Sequence, residues 1–141
     1  MKALSLVQPW AWLAIHGGMT IENRSWSTSY RGRLLIHASA KLTAETLYRA
    51  RAWVHETIGL EAALPIPFLG GELRLGGIIG AVTLVDVLRP TGMPTRRWHM
   101  PGAYGFVLAD PEPLPFRACK GTGNMWGRFV IRDGLVVEVT A

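Results

Sequence analysis

Hydrophobic and polar positions along the chain change period several times, and each change marks an element. Ala3 to Val7 is almost wholly apolar and reads as a first strand buried on both faces. Gln8-Pro9 stops it, because proline brings no amide hydrogen to a ladder yet suits the first turn of a helix. Trp10 to His16 is predicted to be that helix, ended by Gly17-Gly18. Thr20 to Trp26 then alternates, with Glu22, Arg24 and Trp26 on one face and Ile21, Asn23 and Ser25 on the other. After a polar loop, Ser27 to Tyr30, with Tyr30 and Arg31 near its tip, a second run puts Leu34, Ile36 and Ala38 on one face. Arg33, Leu35, His37 and Ser39 fall on the other, ahead of Lys41. A polar cleft beside an apolar core uses both patterns. A surface cross-strand pair of Glu22 and Arg24 is the plainer alternative.

Farther on the period lengthens. Thr43 is an N-cap candidate, Leu47, Ala50, Val54 and Ile58 recur at helical spacing, Glu45 and Arg49 can pair four residues apart, and Gly59 ends the helix. Leu60 to Gly77, with Pro65-Ile66-Pro67, Gly70-Gly71 and Gly76-Gly77, is expected to be an irregular connection. Gly77 to Leu88 should be the longest strand, bent or bulged at Gly80. Arg89 to Gly102 is a loop whose Arg96, Arg97, Trp98 and His99 suit either contact with a nucleotide or closure of a barrel mouth. Tyr104 to Ala109 is a strand, Pro111 and Pro113 are expected as turn residues before Phe116 to Cys119, and Lys120 to Trp126 is a glycine-containing loop able to wrap an anion. Phe129 to Ile131 and Leu135 to Val139, joined by Asp133-Gly134, form a terminal hairpin. Six to eight short strands with two helices indicate an α+β chain built on a small β-barrel with peripheral helices.

Composition narrows this further. A chain of 141 residues, 49% hydrophobic, is sized for one domain spanning 1–141. Fifteen Lys and Arg against 10 Asp and Glu give +5, which favours a polyanionic partner without a dense basic run. Cys119 is the only cysteine, so an intrachain disulfide is excluded and a reducing compartment fits. Gln8-Pro9 interrupts what would otherwise resemble a secretion signal, and Gly76 to Val85 is about half the roughly 20 residues a bilayer needs, so no membrane association and a cytoplasmic location are expected.

The chemistry available is limited. His16, His37, His55 and His99 are scattered without metal-ligand spacing, so neither a metal nor a cofactor is expected. Nucleophile-elbow and dinucleotide motifs are lacking, and Cys119 is either a buried small hydrophobe or a nucleophile. Glu22, Arg24, Ser39, Lys41 and Lys120 remain as a constellation. A lysine beside a carboxylate in a partly dry cleft can act as base or electrophilic stabiliser, with a hydroxyl as nucleophile or positioning group. The same groups can hold a phosphate and read a base edge without reaction.

Gln8-Pro9-Trp10-Ala11, Gly18-x-Thr20-Ile21-Glu22-x-Arg24-Ser25-Trp26 and Tyr30-Arg31-Gly32-Arg33-Leu34-Leu35-Ile36, with Ala38 and Lys41, resemble an ASCH (activating signal cointegrator homology) domain. The likeness continues through Gly76 to Leu88, Tyr104 to Leu108, Lys120-Gly121 and Trp126. It implies a PUA-like β-barrel with two or three peripheral helices and a cleft that accepts RNA, DNA or a modified nucleoside. The chain departs from the family at Met19, where lysine is usual. Some small relatives use that lysine to hydrolyse an acetylated cytidine and others are ribonucleases, so enzymatic activity does not transfer at that position. Lys41 or Lys120 is a candidate replacement amine.

Binding of RNA, single-stranded nucleic acid or a nucleotide is therefore the first expectation. Arg24, Arg31, Lys41 and Lys120 would attract phosphate, Glu22 would take a base edge, and Trp26 or Tyr30 would stack. A small hydrolase with Lys41 as base and Glu22 orienting it is the second. A protein-interaction domain using Trp98 or the Pro65 loop is the third.

Overall fold

The computed structural model of the protein describes residues 1–68, 71–93 and 96–139. Gly70 of the expected irregular connection, and Pro94 and Thr95 of the arginine-bearing loop, lie outside them. Along the described chain the elements are β1 (Lys2–Leu6), α1 (Trp10–His16), β2 (Ile21–Arg24), β3 (Gly32–Ala38), α2 (Ala44–Thr57), α3 (Leu60–Ala63), β4 (Gly77–Leu88), β5 (Tyr104–Ala118), β6 (Phe129–Arg132) and β7 (Leu135–Glu138). A five-stranded sheet in the order β1-β3-β4-β5-β2 curls into a half-barrel, and β6-β7 forms a separate two-stranded sheet. This is the α+β, PUA-like architecture expected of the sequence.

Local chemistry accounts for most boundaries. Buried Gln8 serves the first turn of α1: its Oε1 accepts from the Trp12 N–H at 2.9 Å, and its Nε2 donates to the Arg74 carbonyl at 3.0 Å. Thr43 caps α2 by accepting from the Thr46 N–H at 3.1 Å, and Arg49 pairs with Glu45 at 2.8 Å along its exposed face. Asp133 (φ 51°) and Gly134 (φ 77°) make the tight turn between β6 and β7. The β3–β4 and β4–β5 pairings shift register beside Gly80, where a Cβ would lie 2.6 Å from the Glu112 carbonyl oxygen and 2.7 Å from Ile15.

Three expectations are corrected. Leu60–Ala63 is a short helix rather than irregular chain. β5 runs unbroken from Tyr104 to Ala118, so it, not β4, is the longest strand, and Pro111 and Pro113 lie within it. The prolines are tolerated because β2 pairs only with Tyr104–Val107, and farther along β5 that edge needs no amide donors. Finally, β3 is apolar on both faces. Leu34, Ile36 and Ala38 enter the main core, while Leu35 joins Ala3, Ile78, Ala81, Phe129 and Val136 in a second core beneath the hairpin. The face bearing His37 is thus covered rather than a polar cleft.

Candidate functional site

Glu22 lies across β2–β5 from Phe106, and Arg24 across from Tyr104, so the acid shares the face of a fully buried core residue. Its side chain is 14% exposed, and the nearest cation is Arg24, with Nε 3.9 Å from Oε1. No hydrogen bond to the carboxyl forms among the described residues. Burial pushes its pKa up from 4.5 to about 7, and the Arg24 charge only partly opposes this.

The carboxyl borders a cavity of about 130 Å³ lined by Trp10, Met19, Ile21, Asn23, Trp53, Trp98 and Met100. These residues come from α1, the turn after it, β2, α2 and the loop before β5. Trp10 meets Trp53 edge to face at 5.6 Å, and Trp53 lies 6.3 Å from Trp98. Asn23 ties the loop down: its Nδ2 donates to the Trp98 carbonyl and its Oδ1 accepts from the Met100 N–H, both at 2.8 Å. Trp98 is held at φ 77°, a conformation that costs a bulky residue about 1–3 kcal/mol, with its indole only 5% exposed. Gly105, opposite Asn23, leaves room for His99, since a Cβ there would lie 3.0 Å from the ring. Met19 is 4% exposed, so the position where the family carries lysine adds apolar wall to this cavity.

The other candidates disperse. Arg24 reaches across the barrel: its terminal nitrogen donates to the Ser5 carbonyl, joining the two edge strands of the curled sheet. Its guanidinium is therefore engaged, while Nε is buried without a hydrogen-bond partner. Trp26 follows β2 and packs edge-on against Phe106 at 5.2 Å. Tyr30 donates to the Arg33 carbonyl and borders a larger, mainly apolar depression of about 530 Å³ with Met1, Lys2, Arg128 and Phe129. Arg31 bonds to the Thr28 and Tyr30 carbonyls and pairs with Asp86 at 3.7 Å. The Ser39 N–H donates to Leu6 at the end of β3, and Lys41 beyond it is exposed. Lys120 is exposed beside Gly121, which crosses the Ser5–His37 pair so closely that a Cβ would lie 2.1 Å from Ser5 Oγ. Neither lysine lines the Glu22 cavity or contributes to the shift of its pKa. Burial raises the pKa of the Cys119 thiol, which disfavours the thiolate.

The pattern of β2 brings out Glu22, whereas alternation puts Asn23 on the opposite face and Trp10 stands out only as the start of a helix. Trp53 and Met100 carry no local signal of a site. Their convergence is a property of the closed fold. Among the described residues no helix is long and apolar enough to cross a membrane, and no group of three His, Cys, Asp or Glu is placed to hold a metal.

Comparison with known proteins agrees with the motif. The family model described as ASCH domain matches residues 4–112. Activating signal cointegrator 1 of Homo sapiens is 29% identical over 129 residues, covering 87% of this chain and 21% of that protein. The Mus musculus protein of the same name is 28% identical over the same length. The chain thus spans about a fifth of the length of these curated relatives.

Proposed function

Because the chain belongs to the ASCH domain family, we propose that it binds nucleic acid, RNA in the first instance, by taking a base into the recess at Glu22. The observation that carries this reading is a largely buried carboxyl, its side chain 14% exposed, that lines a cavity and meets no protein hydrogen-bond donor among the described residues. Such a group destabilises a fold unless something else satisfies it. A base edge supplies the missing donor and an indole supplies a stacking surface. Arg96 and Arg97 are exposed on the loop that contributes Trp98 and Met100 and add positive charge to that loop, in keeping with the net charge of +5.

Fluorescence anisotropy with a short single-stranded RNA tests the proposal. Affinity should fall steeply as salt rises and should weaken about tenfold in Glu22→Gln, the scale of one hydrogen bond to a charged group. Binding that ignores both changes overturns the reading. A second reading, hydrolysis of an acylated nucleoside or of RNA, draws on the same carboxyl, because a group that titrates at about 7 is matched to general acid–base work at neutral pH. It requires turnover of acetylcytidine or labelled RNA that disappears in Glu22→Gln.

A further inference from the structure

We propose that the recess selects a base carrying delocalised positive charge, an N-methylated guanine of the 7-methylguanine type, with its N–H edge on the Glu22 carboxylate and its ring against indole. This rests on the base-binding reading above and specifies its ligand.

The argument starts from what the walls offer. Asn23 is occupied at both ends of its amide, by the Trp98 carbonyl and the Met100 N–H. The indoles of Trp10, Trp53 and Trp98 offer N–H donors, so among the cavity-lining side chains the carboxyl of Glu22 is the open oxygen acceptor. An ionised carboxylate only accepts, so the edge it meets must present donors alone. Adenine and cytosine edges alternate a donor with an acceptor, and uracil sets one N–H between two carbonyls. Guanine presents two adjacent donors, N1–H and N2–H, which match the two carboxylate oxygens.

Charge supplies the second criterion. The nearest protein cation, Arg24, stands 3.9 Å away at Nε and spends its terminal nitrogen on Ser5, so it compensates the carboxylate weakly. A cationic ring against Glu22 provides the compensation that the protein lacks, and methylation at N7 fixes such a charge while making the N1 proton a better donor. The tryptophans favour the same ligand, since an indole face attracts cations and Trp10, Trp53 and Trp98 line the same cavity as the acid. Met19 and Met100 give a methyl group polarisable contacts. About 130 Å³ suits one base and leaves the sugar and phosphates outside.

Quenching of tryptophan fluorescence by 7-methylguanosine, guanosine, 1-methyladenosine and adenosine, measured across about pH 6 to 8 because the carboxyl must be ionised while 7-methylguanosine keeps its N1 proton, tests this. The expected result is a preference of about tenfold or more for 7-methylguanosine over guanosine, falling below about threefold in Glu22→Gln, as loss of a desolvated ion pair and cation–π contact requires. A thermal melt confirms that the variant is folded. Equal affinity for the two guanosines, a preference that survives Glu22→Gln, 1-methyladenosine bound as tightly as 7-methylguanosine, or no nucleoside binding at all would each overturn the proposal. Retained RNA binding without the preference removes only this inference, whereas loss of both also removes the base-binding reading.

Discussion

His37 and Glu22 are both ionisable side chains largely withdrawn from water, 2% exposed for the histidine and 14% for the glutamate side chain. Their surroundings treat them differently. His37 Nε2 meets the Cys119 carbonyl at 2.7 Å; a carbonyl only accepts, so Nε2 carries the proton and Nδ1 accepts from the Ser5 hydroxyl at 2.9 Å. Every polar atom of that ring is used, Trp126 closes over it edge to face at 5.7 Å, and Gly121 leaves no space for a side chain above it. Glu22 has indoles and thioethers around it, one distant guanidinium and an open cavity. A satisfied buried polar group helps hold a fold together, whereas one that lacks a protein donor beside a cavity is open to a group from outside.

The largest effect expected from this contrast is on the satisfied side. His37→Ala removes a buried ring and leaves the Cys119 carbonyl without its partner, so chemical denaturation should register a loss of about 2–5 kcal/mol. RNA affinity of the folded fraction should stay unchanged. A variant as stable as the parent, or one that binds RNA poorly while fully folded, would remove the distinction.

Next in size is an effect of the opposite sign. The folded chain keeps the Glu22 carboxyl protonated up to about pH 7, while the unfolded chain releases that proton near 4.5. The stability contributed by the neutral carboxyl is therefore fully present below 4.5 and lost as the pH rises to about 7. Glu22→Gln abolishes this dependence. At pH values above that window it should be more stable than the parent by on the order of 2–3 kcal/mol, and below it the two should melt together. A parent whose stability is flat across the window would mean that the carboxyl is not held away from water.

How much of this was legible in the sequence depends on the range of the interactions involved. Pro9 and Gly17 bracket α1, Thr43 opens α2 and Asp133-Gly134 turns the hairpin through contacts a few residues long, and the pattern predicts all of them. Prolines inside β5 mislead because an unpaired edge belongs to the sheet, not to the strand. His37 misleads for a similar reason: the hairpin that covers its face begins more than ninety residues later, at Phe129. Glu22 is recognisable from alternation and from the family motif, but its environment is not. Met19, Trp53, Trp98 and Met100 reach it only through closure of the barrel, and the same closure turns Arg24 from a free cation into a strut onto Ser5.

The smallest effect separates the two regions by their cations. Arg96 and Arg97 extend from the loop that walls the Glu22 recess, while Lys120 extends from the loop over His37. All three are exposed, so replacing any of them with glutamine should change stability by no more than about 0.5 kcal/mol. RNA binding is where they should differ. Each phosphate contact of a single strand contributes about 0.7 to the slope of log affinity against log salt. If the strand enters by the recess, Arg96→Gln with Arg97→Gln should flatten that slope by about 0.7–1.4, while Lys120→Gln leaves it where it was. The reverse outcome would place the strand over the second core, and Glu22 would then need another explanation for its lack of a partner.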